Sequence, residues 1–296
     1  MNLWDPKTVR QIMTMFGLNF RKEFGQNFLT DPEVIDGIAD ACYREADCTV
    51  LEIGPGIGTL TRSLAARYRQ VIALEIDRSL IPVLRYTLED CPNVTVVNED
   101  VMQTDLGALL ADAFQAGPVA VCANLPYYIT TPILMKLLES RLPFAGITVM
   151  VQAEVADRLC AKAGAKAYGA ITAALNYYGA AEEILFVPAD RFVPAPKVNS
   201  KVTRITLWKE KPCVPESEEM LFRTIKAAFG QRRKTLANAL ATGFPELGKE
   251  RVAALIADMG LPADIRGERL DIAQFTVLSD RLLHAGVTSA PADEPI

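Results

Sequence analysis

Histidine is almost missing from this sequence, and its cysteines are not arranged in pairs. The chain has a single histidine, His284, and six cysteines with no Cys-x-x-Cys spacing. One histidine cannot build a multi-histidine metal site, and its position near the C-terminus disfavours a Ser-His-Asp triad. The cysteine spacings fit neither a zinc site nor a disulfide framework. We therefore expect scattered reduced thiols, no metal, and a chemistry that depends on a cofactor or on binding geometry.

Long apolar runs are missing as well. No run reaches the roughly 18 residues that a membrane helix needs, and the opening residues, MNLWDPKTVRQIM, lack the unbroken apolar core of a signal peptide. Half of the 296 residues are apolar and 23% are charged, which is an ordinary balance for a globular protein. We predict a cytoplasmic protein with no membrane partner.

Positive charge is scarce overall but concentrated in one region. The formal net charge is −5 and the isoelectric point is about 5.2, which argues mildly against a nucleic-acid partner. Residues 191–234, however, contain eleven Lys or Arg and four Glu, a local balance of +7. This basic segment is either a solvated face or a nucleic-acid-binding surface.

Short apolar strands alternate with helices through the first half of the chain. A helix is expected over 31–46, with Asp31 as its N-cap and Pro32 in its first turn. Two later segments, EILFVPADRF and KVNSKVTRITLW, have no helix between them and predict an antiparallel pair at a sheet edge. The alternation predicts an α/β fold with a mostly parallel, doubly wound, Rossmann-like sheet. Its five core strands are CTVLEIG, QVIALEID, NVTVVNED, PVAVCANLP and GITVMVQAE.

The composition changes after Trp208. The segment KEKPCVPESEE is a charged, proline-bearing linker. Helical patterns follow, at roughly 217–229, 232–242, 248–258 and 271–285. We predict an α/β domain with an N-terminal helical extension over 1–208, a small helical domain over 209–287, and a disordered tail over 288–296.

A glycine-rich turn follows the first core strand, in LEIGPGIGTLT at 51–61. Gly54, Gly56 and Gly58 allow a sharp turn and a close approach of the backbone to a ligand. Glu75 ends the next strand, 21 residues after Gly54, where a carboxylate can accept from both hydroxyls of a ribose. Asp100 ends the third strand and can accept from an adenine amino group. Ordinary strand-end turns are the alternative for both acids.

The character of this turn favours a cationic ligand. Glu52 precedes it and Pro55 removes one N–H donor, whereas a dinucleotide enzyme presents backbone donors to a pyrophosphate. S-adenosylmethionine, with its sulfonium and ammonium groups, therefore fits better than NAD. Upstream, Gln26 and Asn27 lie between two phenylalanines. They form either a loop that covers a nucleoside ligand or a buried loop with satisfied amides.

The segment NLPYY ends the fourth core strand, at the sheet edge where ligands of open α/β sheets bind. The Asn124 side-chain oxygen and the Leu125 carbonyl can accept from both hydrogens of an aromatic amine and so favour its reactive geometry. Pro126 fixes the turn, and Tyr127 offers a ring that can stack on a base for roughly 1–3 kcal/mol. The alternative is a turn amide followed by core aromatics. Tyr128 either supports the pocket from behind or packs in the core, and the sequence favours the core position.

Five segments in order along the chain resemble one family. EFGQNFL, LEIGPGIGTLT, NLPYYI, FVPAPKVNS and FGQRRKTLANAL are similar to motifs of the ribosomal RNA adenine N6-dimethyltransferases, most closely of the bacterial small-subunit branch. The resemblance implies a monomeric enzyme that transfers two methyl groups from S-adenosylmethionine to N6 of each of two adjacent adenosines near the 3′ end of 16S rRNA, within the 30S subunit or its precursor. It also implies that the helical domain binds RNA.

The resemblance also implies a role for each matching residue. The turn Asn124, Leu125, Pro126 and Tyr127 would be catalytic, with Phe192 as a second ring against the target base. Phosphates of the RNA would meet Lys197, Lys201, Arg232, Arg233 and Lys234. The methyl donor would contact Gln26, Asn27, Leu29, Gly54, Gly56, Glu75, Ile76, Asp100, Val101 and Asn124.

Three alternatives share parts of this pattern. The macrolide-resistance methyltransferases of 23S rRNA share the glycine-rich loop and the Asn-Pro-Tyr turn, but FGQRRKTLANAL and the roughly 90 residues after Trp208 fit the small-subunit enzymes better. DNA adenine and protein glutamine methyltransferases usually read Asn/Asp-Pro-Pro-Tyr, where this chain has Leu125. A non-catalytic assembly or transcription factor on the same fold is disfavoured by the intact Asn124 and cofactor acids. The low isoelectric point departs from this mostly basic family.

Overall fold

The computed structural model describes residues 1–19 and 26–287. The predicted disordered tail at 288–296 and residues 23–25 of the EFGQNFL motif lie outside the described residues. Within the described part, no helix is long and apolar enough to cross a membrane.

Seven strands form one sheet in the order β4-β3-β2-β5-β6-β9-β7. Strands β2 to β6 are mutually parallel, and β9 runs antiparallel to β6 with Ser200 opposite Gln152. The order reverses between β2 and β5, so the chain is doubly wound about this point. The predicted α/β class, with its parallel core and antiparallel edge, is confirmed. The strands are β2 (Thr49–Ile53), β3 (Gln70–Leu74), β4 (Val94–Val97), β5 (Val119–Asn124), β6 (Gly146–Gln152), β7 (Gly179–Val187) and β9 (Ser200–Leu207).

A separate two-stranded ladder joins the N-terminal region to the segment before β9. Strand β1 (Phe28–Leu29) pairs antiparallel with β8 (Phe192–Val193), and Leu29 lies opposite Phe192. This ladder fixes the position of Phe28 and Leu29.

Two helices precede the sheet, and each begins at an aspartate cap followed by proline. Helix α1 (Pro6–Met15) is capped by Asp5, and its buried face packs in one cluster with Phe28 and Ile57. Helix α2 (Pro32–Cys42) is capped by Asp31, which accepts from the N–H groups of Glu33 and Val34. The predicted helix over 31–46 is therefore present but ends four residues earlier. The other helices around the sheet are α3 (Thr59–Ala65), α4 (Ile81–Thr87), α5 (Leu106–Ala116), α6 (Thr130–Glu139) and α7 (Ala153–Leu159).

The chain divides into two compact units. The first comprises Met1–Ala156 and Ala181–Leu207, and the second Asp157–Ala180 and Trp208–Ile296. The sequence places all of 1–208 in one domain, whereas 157–180 groups with the C-terminal helices because α8 packs on α9, where the rings of Tyr178 and Phe222 stack at 5.7 Å. The helices of the second unit are α8 (Ala170–Tyr178), α9 (Glu218–Gly230), α10 (Leu236–Gly243), α11 (Gly248–Asp258) and α12 (Ile272–His284).

Candidate active site

The glycine turn after β2 requires its glycines. Gly54, Gly56 and Gly58 have φ angles of +71°, +61° and +89°, in the left-handed region that other residues rarely adopt. A Cβ on Gly56 would also lie 2.9 Å from the ring of Phe28. Gly58 then serves as the N-cap of α3. Strand, turn and helix follow one another as the sequence predicts.

A cavity opens at the carboxyl ends of β2, β3 and β5, next to the point where the strand order reverses. Its volume is about 1110 Å³, including the space at its mouth. This is where ligands of open α/β sheets bind. Every residue that the sequence assigns to the methyl donor or to the catalytic turn lines the cavity. These are Gln26, Asn27, Leu29, Gly54, Gly56, Glu75, Ile76, Asp100, Val101, Asn124, Leu125, Pro126 and Tyr127.

Glu75 is a buried carboxyl group in the cavity wall. It accepts hydrogen bonds from the N–H of Gly56 at 3.1 Å and from the N–H of Asp77 at 2.8 Å. Burial raises the pKa of Glu75 to about 7. Asp77 in turn accepts from the side-chain amide of Gln26 at 2.9 Å, which ties the N-terminal segment to the same wall.

Glu52 is a cavity residue that the sequence analysis did not include in its site. It is 1% exposed, and burial raises its pKa to about 8. Its Oε2 atom has no well-aligned hydrogen-bond donor among the described residues, and the nearby Thr61 hydroxyl only partly offsets the effect of burial on the pKa. The signal was available, because a carboxyl group in the otherwise apolar strand β2 must be buried for a reason. Glu99 and Phe28 also line the cavity without having been predicted.

Asp100 lies in the turn after β4. Its carboxylate accepts from the N–H of Met102 at 2.8 Å, and Thr104 donates to its backbone carbonyl at 2.8 Å. The turn therefore holds Asp100 at the cavity, and one carboxylate oxygen, Oδ2, is not used in the bond to Met102.

Hydrogen bonds hold three residues of the catalytic turn predicted from NLPYY. The Asn124 amide donates to the carbonyl of Asn27 at 3.4 Å, and the Leu125 N–H donates to Met150 at 3.1 Å. No donor among the described residues bonds the Leu125 carbonyl. The hydroxyl of Tyr127 lies 2.6 Å from that of Ser200. Two acceptor oxygens and one ring are thus fixed at the cavity.

Tyr128 does not occupy the core position that the sequence favours. Its side chain is 58% exposed and lines the cavity. Its pKa is raised by partial burial and by the negative charges of Asp100 and Glu75. In the turn between β5 and α6, the Tyr128 ring points toward solvent. The residue type alone does not predict this exposure.

Phe192 is the exception among the predicted cavity residues. Its ring is only 2% exposed and packs in the core cluster that contains Leu29, Val34 and Val202. The β1–β8 ladder places it there, opposite Leu29. Phe192 does not line the cavity, and its position gives no support to the expectation of a second ring at the target base.

The basic residues assigned to RNA differ in their surroundings, and none of them lines the cavity. Lys197 is exposed, whereas Lys201 forms an ion pair with Glu183 at 2.8 Å and its side chain is only 17% exposed. Arg233 and Lys234 are exposed. Arg232 is exposed too, but it donates to the carbonyl of Lys166 within the second unit.

The sequence predicts no metal site and only reduced thiols. In the described part of the chain, no cluster of three or more His, Cys, Asp or Glu side chains is arranged to hold a metal ion. None of the six cysteines, all of them among the described residues, forms a disulfide, and Cys42, Cys48 and Cys122 are buried.

Comparison with known proteins assigns the family. A family model described as ribosomal RNA adenine dimethylase matches residues 17–279. The chain belongs to the ribosomal RNA adenine dimethylase family. It is therefore an rRNA adenine methyltransferase, as the resemblance predicted.

Curated members of this dimethylase family match the chain over nearly its whole length. A protein of Geobacillus thermodenitrificans is 44% identical over 281 residues, which cover 94% of this chain and 96% of the relative. A protein of Alkaliphilus oremlandii is 45% identical over 279 residues, covering 94% and 97%. Both relatives are named ribosomal RNA small subunit methyltransferase A.

Solved structures agree with the fold. A dimethyladenosine transferase from Plasmodium falciparum superimposes with a TM-score of 0.73 at 23% identity, over 88% of this chain and 98% of its own. The 23S rRNA methyltransferase ErmE superimposes with a TM-score of 0.66 at 29% identity, over 86% and 99%. The first comparison shows the fold alone. The second shows that enzymes of the large-subunit type share the same framework.

Proposed function

We propose that this dimethylase transfers methyl groups from S-adenosylmethionine to N6 of two adjacent adenosines near the 3′ end of 16S rRNA. One observation carries the proposal. The segments that hold the predicted donor-binding residues and the catalytic turn are far apart in sequence, yet they line one cavity at the carboxyl edge of the sheet.

The side chains in the cavity fit S-adenosylmethionine. Glu52, Glu75 and Asp100 form an acidic lining, and Glu52 has a buried oxygen without a well-aligned donor among the described residues. Such a set suits a ligand with ammonium and sulfonium groups and opposes a diphosphate. Glu75 would accept from the ribose hydroxyls and Asp100 from the adenine amino group. When bound, S-adenosylmethionine supplies an electrophilic methyl group.

The catalytic turn would activate the target amine by geometry. The lone pair of an adenine N6 is delocalised into the ring, which makes the amine a weak nucleophile. The Asn124 side-chain oxygen and the Leu125 carbonyl accept its two hydrogens, and this favours a more pyramidal nitrogen. Because the turn is fixed beforehand, the oxygens need no rearrangement. Water takes the proton that the methylated nitrogen releases, so no histidine base is required.

Tyr127 would hold the base once it has left its stack. Enzymes that modify a base must unstack it, which costs a few kcal/mol. Stacking on an aromatic ring stabilises the unstacked base by roughly 1–3 kcal/mol. Tyr127 directly follows Pro126 in the turn and lines the cavity. A base stacked on its ring would therefore lie next to the acceptor oxygens of Asn124 and Leu125.

We propose the small subunit as the source of the RNA because the curated relatives at 44–45% identity are named ribosomal RNA small subunit methyltransferase A. Methylation of 23S rRNA is the alternative outcome, because the 23S rRNA methyltransferase ErmE has a similar fold at 29% identity. Incubating the enzyme with purified 30S precursors and with protein-free 23S rRNA separates the two. Activity on 23S rRNA alone would exclude the proposal.

A genetic experiment tests the same proposal in cells. Mass spectrometry of rRNA from cells that lack the gene should show 16S rRNA without its adjacent dimethyladenosines. Restoring the gene should restore them, and restoring an Asn124→Ala variant should not. Light scattering of the purified enzyme tests our expectation of a monomer, and cell fractionation tests the expected cytoplasmic location.

A further inference from the structure

The hydroxyl of Tyr127 is anchored to a residue outside the NLPYY turn. It lies 2.6 Å from the hydroxyl of Ser200, the first residue of β9, 73 positions later in the chain. Tyr127 is partly buried, and burial raises its pKa. A buried phenol needs a hydrogen-bond partner, and Ser200 provides it.

Ser200 is a fixed point of the fold. It is 0% exposed and pairs with Gln152 across the β6–β9 ladder. The preceding residue, Asn199, accepts from the N–H of Ala153 at 2.9 Å and from that of Ala189 at 3.0 Å. The strand start is therefore held on both sides, and a hydroxyl there has little freedom to move.

The ring of Tyr127 needs such an anchor. Pro126 restrains the backbone of the turn, but the ring can still rotate about two side-chain torsions. The neighbouring ring of Tyr128 has no comparable burial and is 58% exposed. Fixing both the backbone and the hydroxyl defines the direction of the long axis of the Tyr127 ring, because the hydroxyl oxygen lies at the far end of that axis.

We propose that Ser200 is a positioning residue for methyl transfer, which fixes the direction of the long axis of the Tyr127 ring through the bond between their hydroxyls. This rests on the proposed function, in which Tyr127 stacks on the target base. Ser200 does not line the cavity and acts only through Tyr127. Its loss lowers the share of bound complexes whose base is in the reactive position. Affinity for the RNA and for the methyl donor does not depend on it.

Single-turnover methyl transfer to 30S precursors tests the proposal. Ser200→Ala should lower the rate constant by about 5- to 30-fold. The dissociation constants for S-adenosylhomocysteine and for the 30S precursor, together with the melting temperature, should stay close to those of the wild type. Tyr127→Phe, which removes the other hydroxyl, should give a similar loss. In that background Ser200→Ala should have no further effect, because the bond is already gone.

Thr203→Val is the matched control. Thr203 lies on the same strand, is 0% exposed, and its hydroxyl has no hydrogen-bond partner among the described residues. Its rate constant should match the wild type. The proposal fails if Ser200→Ala keeps the wild-type rate, or if it lowers the rate equally in the presence and absence of the Tyr127 hydroxyl. Failure of the proposed function would appear separately, as a wild-type enzyme that does not methylate 30S precursors.

Discussion

The carboxyl group of Glu75 joins the glycine turn to the end of β3, because it accepts from the N–H of Gly56 at 3.1 Å. The same group accepts from Asp77 through its other oxygen, at 2.8 Å. Each carboxylate oxygen can accept more than one hydrogen bond, so Glu75 can shape the turn and still receive the hydroxyls of a ribose. Glu75 therefore couples the shape of the glycine turn to the recognition of the ribose.

Glu75→Ala should weaken binding of the methyl donor. Loss of a charge-assisted hydrogen-bond pair costs about 1–3 kcal/mol, which is about 5- to 150-fold in the dissociation constant. Calorimetry with S-adenosylhomocysteine measures it. Glu89→Ala, at an exposed acid that does not line the cavity, is the control and should bind as the wild type does. An unchanged constant for Glu75→Ala would exclude the ribose role.

Donor binding should also depend on pH through Glu75. Burial raises its pKa from 4.5 to about 7, and a ribose requires the ionised form as acceptor. Affinity should therefore rise with pH, and the dissociation constant at pH 6 should be about tenfold larger than at pH 8. In Glu75→Gln binding should be weaker at pH 8 and the difference between the two pH values should shrink, and the part that is left comes from Glu52, whose pKa is raised to about 8. Equal affinity of the wild type at both pH values would show that Glu75 binds no donor hydroxyl.

The same shift has the opposite consequence for the stability of the ligand-free enzyme. Between pH 4.5 and about 7, folded Glu75 holds a proton that the unfolded chain has released. The free energy of unfolding should therefore fall as pH rises through this range. Glu52, with a pKa raised to about 8, acts in the same direction. Denaturant titrations of the wild type and of Glu75→Gln at pH 5 and pH 8 measure this contribution.

The donor half of the cavity was predictable from sequence because its signals are local. A buried strand, a glycine turn and a helix follow one another within LEIGPGIGTLT, and the acids Glu75 and Asp100 come shortly after the ends of the next two strands. Parallel strands bring their carboxyl ends to one edge, so residues far apart in sequence meet there. The sequence pattern does not predict helices α5, α7 and α8. The apolar residues of α8, AITAALNYY, lie on several faces, so the helical period is weak there.

The aromatic residues were less predictable because their exposure depends on tertiary pairing. Phe192 is followed by a proline-rich segment that suggests a surface loop, yet the ladder with Leu29 places its ring in the core. Tyr128 follows a tyrosine at the end of a core strand, yet it is exposed. Lys201 has the residue type of a phosphate ligand, but the adjacent strand supplies Glu183. None of these partners is near in sequence.

Two exposed basic residues after α9 should contribute to RNA binding. We expect the double variant Arg233→Glu, Lys234→Glu to weaken binding to 30S precursors. Each lost phosphate contact should reduce the slope of log affinity against log salt by roughly 0.7–0.9. The control is Lys249→Glu with Arg251→Glu, which changes the net charge equally at exposed positions of α11. Equal slopes for the two variants would mean that Arg233 and Lys234 face solvent in the complex.

Lys197 and Lys201 should differ in their effect on RNA binding, although both lie in the same motif. Lys197 is exposed, whereas Lys201 is paired with Glu183 at 2.8 Å. Lys197→Ala should weaken binding to 30S precursors and flatten its salt dependence. Lys201→Ala should leave both nearly unchanged and lower the free energy of unfolding by less than about 1 kcal/mol. Filter binding over a salt series compares them, and a larger effect from Lys201 would show that its ion pair opens in the complex.

Phe192 and Tyr127 offer the sharpest contrast between a core ring and a cavity ring. Phe192 is 2% exposed within the core, and Tyr127 lines the cavity. Phe192→Leu should lower the free energy of unfolding by about 1 kcal/mol and keep the rate of methyl transfer within about twofold of the wild type. Tyr127→Leu, the matched change at the cavity, should lower the rate by at least about tenfold, because the stacking contribution is lost. Single-turnover transfer and denaturant titration of both variants provide the measurements. If Phe192→Leu lost transfer while S-adenosylhomocysteine still bound normally, the ring of Phe192 would have to leave the core and meet the target base in the complex.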